Sequence, residues 1–192
     1  MSDVKNILLV GVGGQGIILA SKLLSEGLIH GGYDVKMSEV HGMAQRGGSV
    51  TTQVRFGEKV YSPIIGKGQA DIIVAFEKME ALRWIEYLKP GGKVVINDYE
   101  IPSAPILVGK EKYPDDVIES LKEKAETTVF KAAEIAKELG SIRTMNVVMV
   151  GAMAKAMGLE NIDWEQTVKA NVKDEFAKIN IEALKKGMEQ VK

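Results

Sequence analysis

Four glycines and a glutamine follow a short apolar run near the start of the chain, in the order Gly11-Val12-Gly13-Gly14-Gln15-Gly16. Gly11, Gly13 and Gly16 fit G-x-G-x-x-G. Set between a strand and a helix, such a loop turns tightly and lets a ligand come close to the backbone. It also offers an anion the free N–H groups and positive end of the helix. That is binding chemistry, not bond breaking. A dinucleotide site further needs an acidic residue near the end of the second strand to hold ribose hydroxyls. Glu39 stands in that region, but late, and it runs straight into His41-Gly42-Met43-Ala44-Gln45-Arg46-Gly47-Gly48. Gln15 puts a long amide inside the loop, where it can reach a neighbouring segment. A tight strand-to-helix turn without a ligand fits the same residues.

The stretch from Ser38 to Val50 is the second candidate, with Glu39, His41, Gln45 and Arg46 placed before and among glycines that include Gly47 and Gly48. In an open α/β sheet ligands bind beyond the carboxyl ends of the strands, so this loop and the glycine loop are expected to share one rim. His41 has the chemistry of a proton shuttle, and Arg46 that of a bidentate partner for carboxylate or phosphate. A rigid interface loop with local hydrogen bonds would use the same side chains. No serine–histidine–acid set can be picked out, and no G-x-x-x-x-G-K-[ST] loop is present. Asp115, Asp116 and Asp163 read as helix caps. Met145, Met149, Met153 and Met157 recur every four residues, the pattern of a core or interface stripe. No residue is assigned a catalytic role.

Composition narrows the chemistry further. The 192 residues contain no cysteine and only two histidines, His30 and His41. Thiolate-held iron–sulfur clusters, disulfides and thiol nucleophiles are therefore excluded from this chain. If the protein takes part in redox chemistry, the redox centre is on another chain or is a bound organic cofactor. A net charge of −1 gives no support to nucleic-acid binding. The beginning of the sequence lacks signal-peptide anatomy and no apolar run is long enough to span a bilayer, so a cytoplasmic protein is expected.

These residues need elements to hold them. Val4–Val10 and Asp71–Phe76 read as buried strands, with Tyr33–Val40, Lys93–Asn97 and Thr127–Phe130 as further strands. Ser49–Phe56 alternates as a half-buried strand, and Gly57-Glu58-Lys59 reads as a hairpin turn into Val60–Ile65. Helices are expected over Ile17–Leu28, Glu77–Leu88, Asp115–Lys124, Ala132–Leu139, Thr144–Met157, Trp164–Val172 and Asp174–Met188. The Thr144–Met157 stretch is apolar nearly all round, so it is central to the core or pressed against a partner. The fold class is α/β: a three-layer α/β/α sandwich, Rossmann-like, with a mostly parallel mixed sheet, an inserted β-hairpin and a helical C-terminal part. A single domain over residues 1–192 is expected.

GVGGQGIILASKLL, SEVHGMAQRGGSVTTQVRFGEKVYSP, ADIIVAFEKMEALR, LKPGGKVVIN and NVVMVGAMAKAMG together resemble the gamma-type module of the 2-oxoacid:ferredoxin oxidoreductases. The glycine loop is shared across these modules. SEVHGMAQRGGSV is more specific and is similar to the beta subunits of the indolepyruvate branch. The resemblance implies oxidative decarboxylation of a 2-oxoacid with coenzyme A, giving an acyl-coenzyme A, carbon dioxide and reduced ferredoxin. It implies a larger alpha subunit that carries thiamine diphosphate, magnesium and iron–sulfur clusters, with none of these held by this chain alone. On this reading Gly11, Gly13, Gly14, Gln15, Gly16, Glu39, His41, Gln45, Arg46, Gly47 and Gly48 form a surface against the alpha subunit. That surface helps to shape the substrate and coenzyme A site. The lone chain would be inactive and could self-associate through it. Modules for pyruvate, 2-oxoisovalerate or 2-oxoglutarate, a stand-alone dinucleotide reductase and a ligand-free scaffold subunit are the alternatives.

Overall fold

The first strand, β1 (Lys5–Val12), is buried from Ile7 onward and divides its side chains between two cores. Ile7 and Leu9 enter one apolar cluster, Leu8 and Val10 another, as the two-residue period of a strand requires. Helices must therefore cover both faces. The structure, a computed structural model, describes residues 4–41 and 47–192, with only the backbone of His41.

The sheet has six strands in the order β2-β3-β1-β4-β5-β6. These are β2 (Asp34–His41), β3 (Ser49–Gly57), β4 (Ala70–Ala75), β5 (Leu88–Asn97) and β6 (Glu126–Phe130). β4, β5 and β6 continue parallel from β1, while β3 runs antiparallel to both β1 and β2. The sheet is thus mixed and mostly parallel. β1 and β2, joined by the helix α1 (Ile17–His30), share a direction, yet β3 lies between them.

The hairpin forms between β2 and β3, not between β3 and Val60–Ile65 as the turn at Gly57-Glu58-Lys59 suggested. Val60–Ile65 is irregular for an identifiable reason. Pro63 has no N–H to give a ladder. Neighbouring side chains take over its backbone groups: Arg55 donates to the carbonyls of Ser62 and Ile64 at 3.0 and 3.2 Å. The Ile65 N–H reaches Gln53 Oε1 at 2.6 Å, and the Val60 N–H reaches Asp34 at 2.9 Å. Val60 and Ile65 are still buried.

On one face of the sheet lie α1, α5 (Ala132–Glu138), α6 (Met145–Ala156), α7 (Trp164–Asn171) and α8 (Asp174–Met188). On the other lie α2 (Lys78–Trp84) and α4 (Val117–Lys124). A short helix, α3 (Ala104–Leu107), interrupts the connection between β5 and α4. The apolar α6 is central: every residue from Met145 to Ala154 is buried, the Met145, Met149 and Met153 stripe included. Asp163 caps α7 by accepting from the Gln166 N–H at 2.9 Å. Asp116 stands at the start of α4 but takes the Ser120 hydroxyl at 3.3 Å instead of a backbone N–H. Among the described residues no helix is long and apolar enough to cross a membrane.

Candidate functional site

The carboxyl ends of β1, β2, β4, β5 and β6 meet at one edge of the sheet, with the start of β3 among them. Gln15, 8% exposed, folds back into this edge. Its Oε1 accepts from the Val12 N–H at 2.8 Å and its Nε2 donates to the Phe76 carbonyl at 2.7 Å. Asn97 donates to the same carbonyl at 3.1 Å and accepts from the Ala132 N–H at 2.9 Å. Two buried amides thus tie β1 to β4, β5 and the first turn of α5. They satisfy backbone groups that the strand ends would otherwise leave open. Gly11 lies under this tie: a Cβ there would come within 2.8 Å of Gln15 Oε1 and 2.9 Å of Phe76 Cβ.

Gly14 and Gly16 have φ of 102° and 78°, a region that disfavours other residues. Gly16 starts α1 with no side-chain cap and no acidic residue in the first turn. Its carbonyl accepts from Asn146 Nδ2 at 3.1 Å, which docks the loop on α6. Gly13, Gly14, Gln15 and Gly16 then form one wall of a cleft of about 500 Å3, with Tyr99, Ile101, Ile142, Arg143 and Met145 opposite. Arg143 is exposed and is the one cationic residue lining the cleft among the described residues. A helix start without acidic groups, an arginine and apolar side chains on the other wall suit an anionic group attached to an organic body.

Gly47 and Gly48 join the same rim. The Gly13 N–H donates to the Gly48 carbonyl at 2.8 Å, and the Gly47 N–H lies 3.5 Å from the Gly13 carbonyl. Glu39 lies apart from the cleft lining and accepts from Ser21 of α1 at 2.7 Å. This ties β2 to α1. The His41 side chain, Gln45 and Arg46 lie outside the described residues. Among the described residues no group of three His, Asp or Glu side chains is placed to hold a metal ion.

A second cavity, of about 150 Å3, lies behind Ile101, which lines both. Its polar groups were not picked out by the sequence motifs. Glu77, 1% exposed, accepts from the Tyr113 hydroxyl at 2.5 Å. Burial raises its pKa above the ordinary carboxylate range, although hydrogen bonds from Tyr113, Glu80 N–H and Ile101 N–H pull the other way. Burial and the facing Glu77 likewise push the Tyr113 hydroxyl well up. Glu80, also buried, accepts from Ser49 Oγ at 2.6 Å and pairs with Arg83 at 3.2 Å. Arg143, Tyr99 and Glu77 carry no local motif; they reach the rim only because β4, β5 and α6 are adjacent in space.

Residues 6–190 match the family described as pyruvate ferredoxin/flavodoxin oxidoreductase. The chain belongs to this family. It is 39% identical over 193 residues to the indolepyruvate oxidoreductase subunit IorB of Thermococcus kodakarensis, covering 97% of this chain and 96% of that one. It is 30% identical over 187 residues to the pyruvate/ketoisovalerate oxidoreductases common subunit gamma of Thermococcus litoralis, covering 94% and 93%. Among solved structures, the gamma subunit of a keto/oxoacid ferredoxin oxidoreductase from Geobacter sulfurreducens superposes with a TM-score of 0.71 at 26% identity, covering 97% of both chains.

Proposed function

We propose that this chain is the non-redox subunit of an arylpyruvate-type 2-oxoacid:ferredoxin oxidoreductase, the indolepyruvate branch of its family. Family membership makes it a subunit of a 2-oxoacid:ferredoxin oxidoreductase. The observation that carries the finer reading is the near full-length identity of 39% to an indolepyruvate oxidoreductase subunit, against 30% to a pyruvate/ketoisovalerate gamma subunit. The complex would convert an aryl 2-oxoacid and coenzyme A to an aryl acyl-coenzyme A, carbon dioxide and reduced ferredoxin. A chain without cysteine does not fit thiolate-held clusters, so these belong on a larger partner together with thiamine diphosphate and magnesium.

The part of this chain is then to complete the site from one side. The backbone N–H groups of Gly14 and Gly16, with Arg143, would hold an anionic portion of coenzyme A or of the oxoacid. The Glu39–Gly48 segment, with His41, Gln45 and Arg46, would press on the partner. Gln15 and Glu39 act as braces within this chain, which the hydrogen bonds above support. A lone dinucleotide reductase is disfavoured by the family match over residues 6–190.

In the reconstituted complex, Arg143→Ala and Arg46→Ala are expected to raise the KM for coenzyme A or oxoacid several-fold, or to weaken assembly, since a charge-assisted hydrogen bond contributes roughly 1.5–3 kcal/mol. Unchanged kinetics together with unchanged assembly overturn the proposal. Indolepyruvate should be turned over faster than pyruvate or 2-oxoisovalerate. The reverse order would move the chain to the gamma-subunit branch.

A further inference from the structure

The first turn of α2 grips the connection 98–116 at several points. The Lys78 N–H donates to the Tyr99 carbonyl at 3.1 Å. Lys78 Nζ lies 2.5 Å from Glu100 and 3.4 Å from Asp98, and 5.5 Å from the centre of the Tyr113 ring. Burial works against the Lys78 charge, but Glu100 and Asp98 outweigh it and hold its pKa above the ordinary lysine value. Lys78 is mostly buried, whereas Glu100 is exposed. The buried holder is Glu77. One oxygen accepts from the Tyr113 hydroxyl at 2.5 Å and the Ile101 N–H at 3.3 Å; the other accepts from the Glu80 N–H at 3.0 Å. Tyr113 is itself held, accepting from the Met79 N–H at 3.0 Å.

In the same turn, Glu80 accepts from Ser49, the first residue of β3, next to the Gly47–Gly48 pair that bonds to Gly13. The α2 turn is therefore bonded both to the 98–116 connection and to the start of β3. Tyr99 and Ile101 on one side and the glycine loop on the other face each other across the larger cleft. A carboxyl in a buried place is costly unless its acceptors are used, and here three donors use them. A glutamine of equal size keeps one acceptor oxygen and puts an NH2 against the remaining donors.

We propose that Glu77 is a positioning residue for the rim: its carboxyl locks the 98–116 connection onto the first turn of α2 and so fixes where Tyr99 and Ile101 stand in the larger cleft. The kinetic consequence rests on the reading that this cleft serves coenzyme A or the oxoacid; the structural consequence does not.

The test is amide hydrogen exchange and steady-state kinetics on the assembled complex with wild-type, Glu77→Gln and Tyr113→Phe chains. Tyr113→Phe keeps the ring and removes only the hydroxyl, so it tests the lock even if the glutamine variant folds poorly. Exchange across residues 99–113 is expected to quicken about tenfold in Glu77→Gln, the equivalent of about 1.4 kcal/mol, and less in Tyr113→Phe. Exchange in β4 and α6 should be unchanged. The KM for coenzyme A or oxoacid should rise several-fold with kcat nearly constant. Exchange in 99–113 that stays at the wild-type rate in folded variants overturns the proposal. Faster exchange with unaltered KM upholds the lock and overturns the assignment of the cleft.

Discussion

Glycine does opposite work in two regions of this molecule. At the crossing of α6 and α8 it makes room. A Cβ on Gly151 would lie 2.0 Å from the Leu184 carbonyl oxygen, and one on Gly187 would lie 1.9 Å from that of Val148. The two backbones touch because neither helix has a side chain there. At the start of α1 the space around Gly14 is empty, with nothing within 4 Å of where its Cβ would be. There glycine supplies the positive φ, and the backbone is left bare toward the cleft. One region uses glycine to close a core, the other to keep a rim open. Stability should therefore depend on the first and site function on the second.

Gly151→Ala is the strongest test of that contrast. The clash is with backbone, so α6 and α8 must part, at a cost of roughly 3 kcal/mol or more. Thermal unfolding should fall by about 6–12 °C, read by calorimetry on the isolated chain. A fall of only a degree or two would mean that the crossing adapts and that the core is looser than its geometry indicates. Gly14→Ala should cost less, about 1–2 kcal/mol from the left-handed backbone alone. Its main effect should be on the KM of the complex for coenzyme A or oxoacid. Equal losses of stability in the two variants would erase the distinction.

The smallest expected effect separates the rim from the core by pH. Burial raises the Glu77 pKa above its value in the unfolded chain. A carboxyl shifted this way favours the folded state most when protonated, below the ordinary carboxylate range. That contribution is lost as pH rises through the folded-state value. The stability of the wild type relative to Glu77→Gln should thus decline as pH is raised from acid to neutral, in denaturant titrations at matched salt. A gap that stays constant or widens in favour of the wild type would mean that its hydrogen bonds outweigh its burial.

The strands and most helices could be read along the chain because their signals are local. Apolar runs end at glycine, helix faces repeat every three to four residues, and Asp163 caps where a cap belongs. The glycine loop was legible for the same reason, and so was the inward reach of Gln15, a long amide among residues without side chains. The pairing of β2 with β3 was not, because a strand's period says which faces are buried but not which neighbour it meets. Val60–Ile65 carries a strand-like composition, yet Arg55, Gln53 and Asp34 satisfy its backbone from the side, a solution visible only across the sheet.

By itself, the amino-acid sequence determined what this chain is built from and what it lacks. It carries alternating strands and helices, an open glycine loop at a helix start, and no thiolate for a cluster. Tertiary structure alone decided which residues share the rim. Glu77 is 64 residues from Gly13 and Arg143 a further 66 residues on. Gly13 and Arg143 line one cleft and Glu77 the cavity behind it because parallel strands align their carboxyl ends and α6 packs beneath the loop. A buried carboxyl can be held there only when donors from its own helix and from the 98–116 connection arrive together. No spacing along the chain encodes that meeting; the register of the sheet does.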